Sequence, residues 1–415
     1  MSLHESLSAT CRVEQATEAD HVDGVLPQVV AHPASAEETS ALLRACHQQG
    51  LAVVVRGHGS KLTWGRPPER VDVVLDTTGM DELVEHSRGD LIATAGAGMP
   101  LSRLQEQLAE GGHQLVVDDL AQGSTLGGAV ATGLGGPRRM WTGAIRDLVI
   151  GVRFVRADGT IAKAGGKVVK NVAGYDLAKL LTGSYGTLAV LTQVTVRLHP
   201  LPDQQLWVEA AVPAERLADV LQHVTHSQLV PHALEVHAVP GEQARIGTLL
   251  SGTVAGCESR AQTLVEELRS LGADDPEASP EPPGWWGRLP GREGECRPVL
   301  LKTTAVLSGI PDLVAEATRQ GLTVTGSAGT GVLHAAMPSA DGTAADPSAA
   351  AAALDAVRTT STHHGGSTIV LDAPPDLKAA LDVWGPVPAI DLMRRVKTEF
   401  DPTRTLAPGR FVGGL

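Results

Sequence analysis

Hydrophobic positions between residues 35 and 111 fall into short blocks that read alternately as helix and strand. Ser35 with Glu38 three positions on forms a capping box, and Gly50 stands where a helix C-terminal glycine belongs, so a helix is predicted between them. The run LAVVV at 51–55 follows as a β-rich strand and passes straight into RGHGSKLTWG at 56–65. VDVVLD (71–76) and LIATA (91–95) are further strands, and Leu101, Leu104 and Leu108 mark one face of a helix between Pro100 and Gly111. Residues 123–147 are glycine-dense without the monotony of a linker, which predicts a structured loop with a short helix. LVIGVRFVRADGT and GTLAVLTQVTVRLHP then supply hairpin-like strands that end near Pro200.

Beyond Pro202 the texture becomes a simpler repetition of strand and amphipathic helix: LWVEAAV, a helix over 214–227, ALEVHAV, RIGTLLSG, and a helix from about Glu258 to Leu271. Residues 273–298 are rich in Pro, Gly and charge, which predicts an exposed excursion. The adjacent Trp285 and Trp286 within it fit either a contact patch for another subunit or a loop tucked back on its own domain. Strand and helix resume at VLLKTTAV and PDLVAEATRQ; a soft break, SADGTAADPS, precedes an Ala-rich helix over 348–358.

The 415 residues carry 34 Lys and Arg against 47 Asp and Glu, a net charge of −13 that argues against a nucleic-acid binder. Such a length predicts two or three domains, and with only three Phe, two Tyr and six Trp against 46 Gly their cores must be aliphatic. Cys11, Cys46, Cys257 and Cys296 are scattered, with no CxxC, so this chain offers no motif for an iron–sulfur centre or a structural zinc. The first 20 residues lack the basic start and apolar run of a signal peptide, and no stretch reaches the roughly 18 apolar residues of a membrane span. A cytoplasmic location is expected, with a peripheral place at the inner face of the plasma membrane open to it through a complex.

Three segments carry candidate chemistry. Arg56, Gly57, His58, Gly59, Ser60 and Lys61 follow a strand, and glycines there expose successive backbone N–H groups of the kind that receive a diphosphate. No GxxxxGK[ST] occurs, and the segment is not GxGxxG leading into a helix. Gly123, Ser124, Thr125, Gly127 and Gly128 place small hydroxyls beside a glycine pair, which lets a flat ring or a phosphate approach the backbone. The third, residues 165–198, joins glycine pinch points, basic residues and a strand.

RGHGSKLTWG, GSTLGGAVATGLGGPRRMWTGAIRDLVIGV, GGKVVKNVAGYDL, GSYGTLAVLTQVTVRLHP and FDPTRTLAPGRF, in that order, resemble the vanillyl-alcohol-oxidase/PCMH family of flavoproteins. KNVAGYDL, DVWGP and LMRRVKTEFDPTRTLAPGRFVGGL most resemble its branch of FAD-binding subunits, the E subunits, of bacterial glycolate oxidases. The resemblance implies an α+β chain: a PCMH-type FAD-binding domain of two subdomains over 22–202, a cap domain with an antiparallel sheet over 203–388, and a C-terminal segment, 389–415, returning to the FAD domain. Arg56 to Ser60 would wrap the FAD pyrophosphate, Ser124, Thr125, Gly127 and Gly128 would line the flavin, and Gly186 to Val190 would give it backbone contacts. Relatives that hold FAD covalently through this loop carry histidine four residues after the arginine; Ser60 stands there, with His58 two earlier, so noncovalent FAD is expected.

The activity implied is oxidation of glycolate, a small 2-hydroxy acid, to glyoxylate, with electrons passed to a separate iron–sulfur subunit beside a sister flavoprotein subunit. Relatives acting on D-lactate and D-2-hydroxyglutarate carry HxGDGNxH and GEHG metal-ligand patterns in the cap. Here the corresponding GTGVLHAA keeps only His334 and HHGGST stands at 363–368, so no metal is expected. Such a reaction needs a cation for the carboxylate and a base for the hydroxyl proton. Lys302 and His334 are the candidates taken for catalysis, ahead of Arg297, His363 and His364. Lys170, Asn171, Tyr175 and Asp176 are given a scaffold role. Alternatives are a flavin subunit for electron transfer or assembly with no substrate site, a stand-alone D-lactate-type dehydrogenase, and an NADPH-dependent reductase on the same fold.

Overall fold

Valine-rich strands buried on both faces are the expected material of a parallel sheet, and three of them form one: Val29–His32, Val73–Asp76 and Val53–Arg56 pair in parallel in that order. Arg12–Gln15 adds an antiparallel edge. The computed structural model describes residues 2–167, 174–291, 297–337 and 345–415. Lys170, Asn171, Cys296 and residues 339–344 of the soft break lie outside them. Two compact units divide the chain: Met1–Leu134 with Gly143–Leu201 and Pro386–Leu415, and Gly135–Thr142 with Pro202–Gly385.

In the first unit, helix Ala36–Gln49 starts where the Ser35 hydroxyl accepts the Glu38 N–H at 3.1 Å and stops at Gly50, whose φ of 65° favours a residue without a β-carbon. Its Leu42, Leu43 and Cys46 pack on Val53, Val73 and Leu75. An antiparallel sheet of five strands follows, ordered Leu83–Ser87, Ile92–Gly96, Ala189–Arg197, Val149–Arg156, Ile161–Gly165. Helices Leu101–Ala109 and Leu126–Thr132 bury Leu104, Leu108, Leu126 and Val130 in its core. Asp176 caps the short helix Leu177–Leu181, while Tyr175 is exposed rather than packed on its loop.

The chain end completes this unit. Val53 donates its N–H to the Thr405 carbonyl at 2.7 Å and accepts from Ala407 at 2.9 Å, so the segment runs alongside the parallel sheet. Helix Ile390–Phe400 delivers the buried Lys397, whose ammonium reaches the carbonyls of Thr187 (2.7 Å) and Leu406 (2.9 Å) and the Asp401 carboxylate (2.7 Å). Asp401, also buried, accepts in turn from the N–H groups of Thr405 and Leu406.

The second unit is built on one antiparallel sheet of eight strands, ordered Asp274–Ser279, Gln204–Val212, Ala244–Gly252, Ala233–Ala238, Thr323–Ser327, Val332–Met337, Val299–Thr304, Thr368–Asp372. Alternation along the strands sends Val208, Val236, Ile246, Leu301 and Leu333 into a core with helices Leu217–His226, Val254–Ser270, Ile310–Arg319 and Pro347–His363. The intervening positions, Glu235, His237, Lys302, Thr325 and His334, therefore share the opposite face.

Three placements differ from the pattern reading or decide it. Asp274–Ser279, inside the predicted excursion, is an edge strand paired with Gln204–Val212; an edge has one hydrogen-bonding side to fill, so it tolerates Pro276 and its acids. Trp285 and Trp286 are tucked onto the sheet. Trp285 stacks on His237 at 5.3 Å and donates its indole N–H to Glu209 at 2.7 Å, and Trp286 meets Trp207 edge-on. Gly247 makes room for both, since a β-carbon there would lie 2.9 Å from each indole. Residues 135–142, read as part of the glycine-dense loop, belong to this second unit: Met140 packs against Gly329 and Trp141 stacks on His232 at 4.1 Å.

Lys397→Met leaves Asp401 buried and uncompensated, and the expected loss is about 3–5 kcal/mol of unfolding free energy, measurable by urea denaturation. Gly247→Val forces the two indoles off the sheet; a red shift of tryptophan emission is the expected result, and an unchanged spectrum counts against the tuck.

Candidate functional site

Strand Val53–Arg56 ends with its last carbonyl fixed by the Thr77 N–H at 2.8 Å, and the chain then turns through glycines into a cleft. The Arg56 guanidinium is held by Asp20 (2.8 Å) and Asp76 (2.9 Å). Burial works against its charge, but the two carboxylates outweigh burial and raise its pKa. This arginine therefore braces the strand end, and the next residues face the cleft with their backbone. Among the described residues no acceptor takes the N–H of Gly57, His58 or Gly59. Three successive free amides beside glycines make a nest for an anion. Gly57 must lack a side chain, because a β-carbon there would run into the Thr125 side chain, and one on Gly127 would lie 2.8 Å from Ala97.

Arg56 to Lys61, Thr125, Gly127, Gly128 and Gly186 line this one cleft. Gly123, Ser124 and Val190 stand behind its walls. Gly123 turns with φ 71° and offers its carbonyl to His58 Nδ1–H at 3.2 Å. Ser124 is buried between Lys61 and Asp119, its N–H on Asp119 at 2.8 Å. The Val190 side chain points into the core with Val53 and Leu75, while its neighbours Ala189 and Leu191 face the cleft. Trp64 is core and does not reach the cleft. Opposite the glycine loop, Tyr185 and Gly186 both adopt left-handed conformations, φ 56° and 71°, a strained choice for a tyrosine held by its N–H on the Ala131 carbonyl at 2.8 Å. Tyr185 and Arg410 line the cleft and were missed by the sequence reading; the YG pair and the terminal PGR were the only local signs of them.

On the second unit's polar sheet face, Lys302 and His334 are directly opposed on neighbouring strands, and Thr325 faces His334 from the other side. His334 is 3% exposed and its Nε2 has no partner among the described residues. Burial, then the charges of Lys302 and Arg139, push the His334 pKa down to about 3. Lys302 keeps some accessible surface, yet burial, followed by Arg139, lowers its pKa as well. Among the described residues none of these three basic groups forms an ion pair, and the buried acid that shares the sheet face is Glu235. Arg139, brought in by the segment 135–142, is the member sequence reasoning did not name; the RR pair after the glycines was its only signal. Two of the other cationic candidates are committed elsewhere. Arg297 donates to the Ala373 carbonyl at 3.1 Å and pairs with Asp372, and His364 bonds Asp312 at 3.0 Å.

Residues 27–165 match the family model described as FAD binding domain. The D-lactate dehydrogenase of Archaeoglobus fulgidus is 35% identical over 226 residues, 54% of this chain and 50% of that protein. Glycolate oxidase subunit GlcE of Escherichia coli is 36% identical over 181 residues, 43% of this chain and 50% of its own length. The chain thus spans about half the length of the curated relatives it matches. A solved structure of alkyldihydroxyacetonephosphate synthase superposes with a TM-score of 0.66 over 92% of this chain and 76% of that one, at 17% identity. The fold is accordingly α+β, a PCMH-type FAD-binding domain followed by an α+β domain on an antiparallel sheet, and residues 27–165 carry its FAD-binding signature.

Proposed function

We propose that this chain binds FAD noncovalently in the cleft of its first unit and is the FAD-binding subunit of a 2-hydroxy-acid dehydrogenase, with glycolate as substrate. The observation that carries the reading is the run of three unpartnered amides at Gly57, His58 and Gly59 inside a region matched to an FAD-binding domain. The glycine cradle and these free donors fit a flavin nucleotide's diphosphate, and each charge-assisted hydrogen bond is worth about 1.5–3 kcal/mol. Bound FAD supplies a two-electron acceptor. Ser60 at the position that would carry a covalent histidine supports noncovalent attachment.

For the substrate, Lys302 and Arg139 provide a cationic receptor for a carboxylate, and His334 provides a neutral nitrogen for the hydroxyl proton. The His334 pKa near 3, lowered by burial and by both cations, makes it a weak base. A carboxylate arriving at Lys302 and Arg139 cancels part of that field and raises it toward useful basicity. The scattered cysteines offer no cluster motif, so electrons leave through a separate iron–sulfur subunit, and a sister flavoprotein completes the complex. No described helix is long and apolar enough to cross a membrane, in keeping with a subunit held at its station by partners.

Protein loaded with FAD and passed through gel filtration retains the visible flavin band, and Gly57→Val loses it; a wild-type chain without flavin overturns the reading. Anaerobic glycolate then bleaches the band faster than D-lactate does. A band unchanged by glycolate until partner subunits are added assigns the chain to electron transfer or assembly.

His334 also sets a pH dependence. Its folded pKa of about 3 lies below the ordinary 6.5, so between these values the unfolded chain binds more protons. The stability from a neutral His334 is fully present above pH 6.5 and is lost as pH falls toward 3. Acidification from pH 7 should therefore destabilise the wild type more steeply than His334→Asn, the difference in slope approaching about 1.4 kcal/mol per pH unit.

A further inference from the structure

Residues 410 and 411 touch both walls of the cleft from the far end of the chain. Arg410 is 5% exposed, and its guanidinium gathers the carbonyls of one turn of the glycine loop: Nε donates to Trp64 at 3.2 Å, and Nη2 to Lys61 at 3.3 Å and to Leu62. The loop backbone closes on this segment again through Arg66 N–H to the Arg410 carbonyl (3.1 Å) and Glu69 N–H to Pro408 (2.8 Å). The gathered turn is joined to the free amides, because Leu62 N–H binds the Gly59 carbonyl at 3.0 Å and Trp64 N–H binds that of Lys61 at 3.1 Å. On the other wall, the Phe411 ring packs on Tyr185 at 5.3 Å.

We propose that Arg410 is a positioning residue for the cofactor, holding the Gly57–Gly59 amides in the arrangement that receives a flavin dinucleotide's diphosphate; this rests on the reading that the cleft takes FAD. Three carbonyl oxygens converging on one buried point repel one another and need a donor of fixed geometry. A planar guanidinium with a rigid fork of N–H groups meets that need, whereas an ammonium supplies charge without the fork. Without it the turn at 61–64 opens to find other donors, Gly59 moves with it, and the row of amides loses its common aim. The cost falls on the part of the ligand those amides hold, the diphosphate, and not on the isoalloxazine ring.

The test titrates the full apo-chain with FAD and, separately, with riboflavin, which carries the ring but no phosphate, reading flavin fluorescence for wild type, Arg410→Lys and Arg410→Gln. Arg410→Gln is expected to weaken FAD by about ten- to a hundredfold, as loss of a charge-assisted bond would, with riboflavin affinity unchanged and Arg410→Lys recovering part of the loss. The melting midpoint of each apo-variant is measured alongside. Equal FAD affinity in all three proteins overturns the proposal, and so does a loss shared equally by riboflavin and accompanied by a fallen apo midpoint, which makes Arg410 a folding residue only. Failure of the wild type to bind FAD removes the flavin reading itself, a result distinct from either.

Discussion

A lysine ammonium buried beneath the C-terminal helix is the interaction on which the first unit turns. Lys397 spends its three donors on Thr187, Leu406 and Asp401, and Asp401 spends its oxygens on the amides of the chain that returns to the sheet. Removing two charges from water is tolerable only when such satisfaction is complete. It fixes the turn at 184–187 to the strand-like stretch 405–407, two pieces of chain that share no local signal. The last residues then reach the cleft in a set orientation, which is why an arginine near the chain end can organise a loop near the beginning.

Under the proposed function the two units would receive negative charge by different physics. In the first, the arginine that the sequence offers as a cation is neutralised by Asp20 and Asp76, and the receiving groups are backbone amides whose dipoles need no counter-ion and change no protonation state. In the second, burial and the charge of Arg139 lower the pKa of both Lys302 and His334, and Lys302 adds to the effect on His334. An anion bound beside them, as the proposed function requires, would offset that unfavourable electrostatics. A nest of amides suits a permanently charged diphosphate. A lysine and a histidine with lowered pKa values suit a smaller ligand whose arrival must also alter a proton affinity.

The aromatic residues follow the same economy of exposure. A sheet with helices on one face leaves its other face to be closed by something, and part of it is closed by the Trp285–Trp286 loop over Gly247. The missing side chain at one strand position is what lets two indoles lie down, with Glu209 accepting the hydrogen bond of the Trp285 indole N–H that burial would otherwise strand.

The sequence alone determined whatever short-range chemistry dictates. Ser35, Glu38 and Gly50 mark a helix because caps act within one turn; the valine runs read as strands because burial on both faces leaves no alternation; the glycines at 57 and 59 announce a turn with exposed amides. The α+β class came from the resemblance those motifs carry in their order along the chain. What periodicity leaves undetermined is the face each residue takes and what lies across from it. Ser124 and Val190 are one residue away from positions that line the cleft, and a single step along a strand or turn reverses a side chain's direction. The strand Asp274–Ser279 was illegible because an edge imposes few demands on composition. Only the tertiary structure brought Arg139 to Lys302 and His334, and Arg410 to the glycine loop, because such contacts join distant parts of the chain and depend on the path between them rather than on any neighbouring residue.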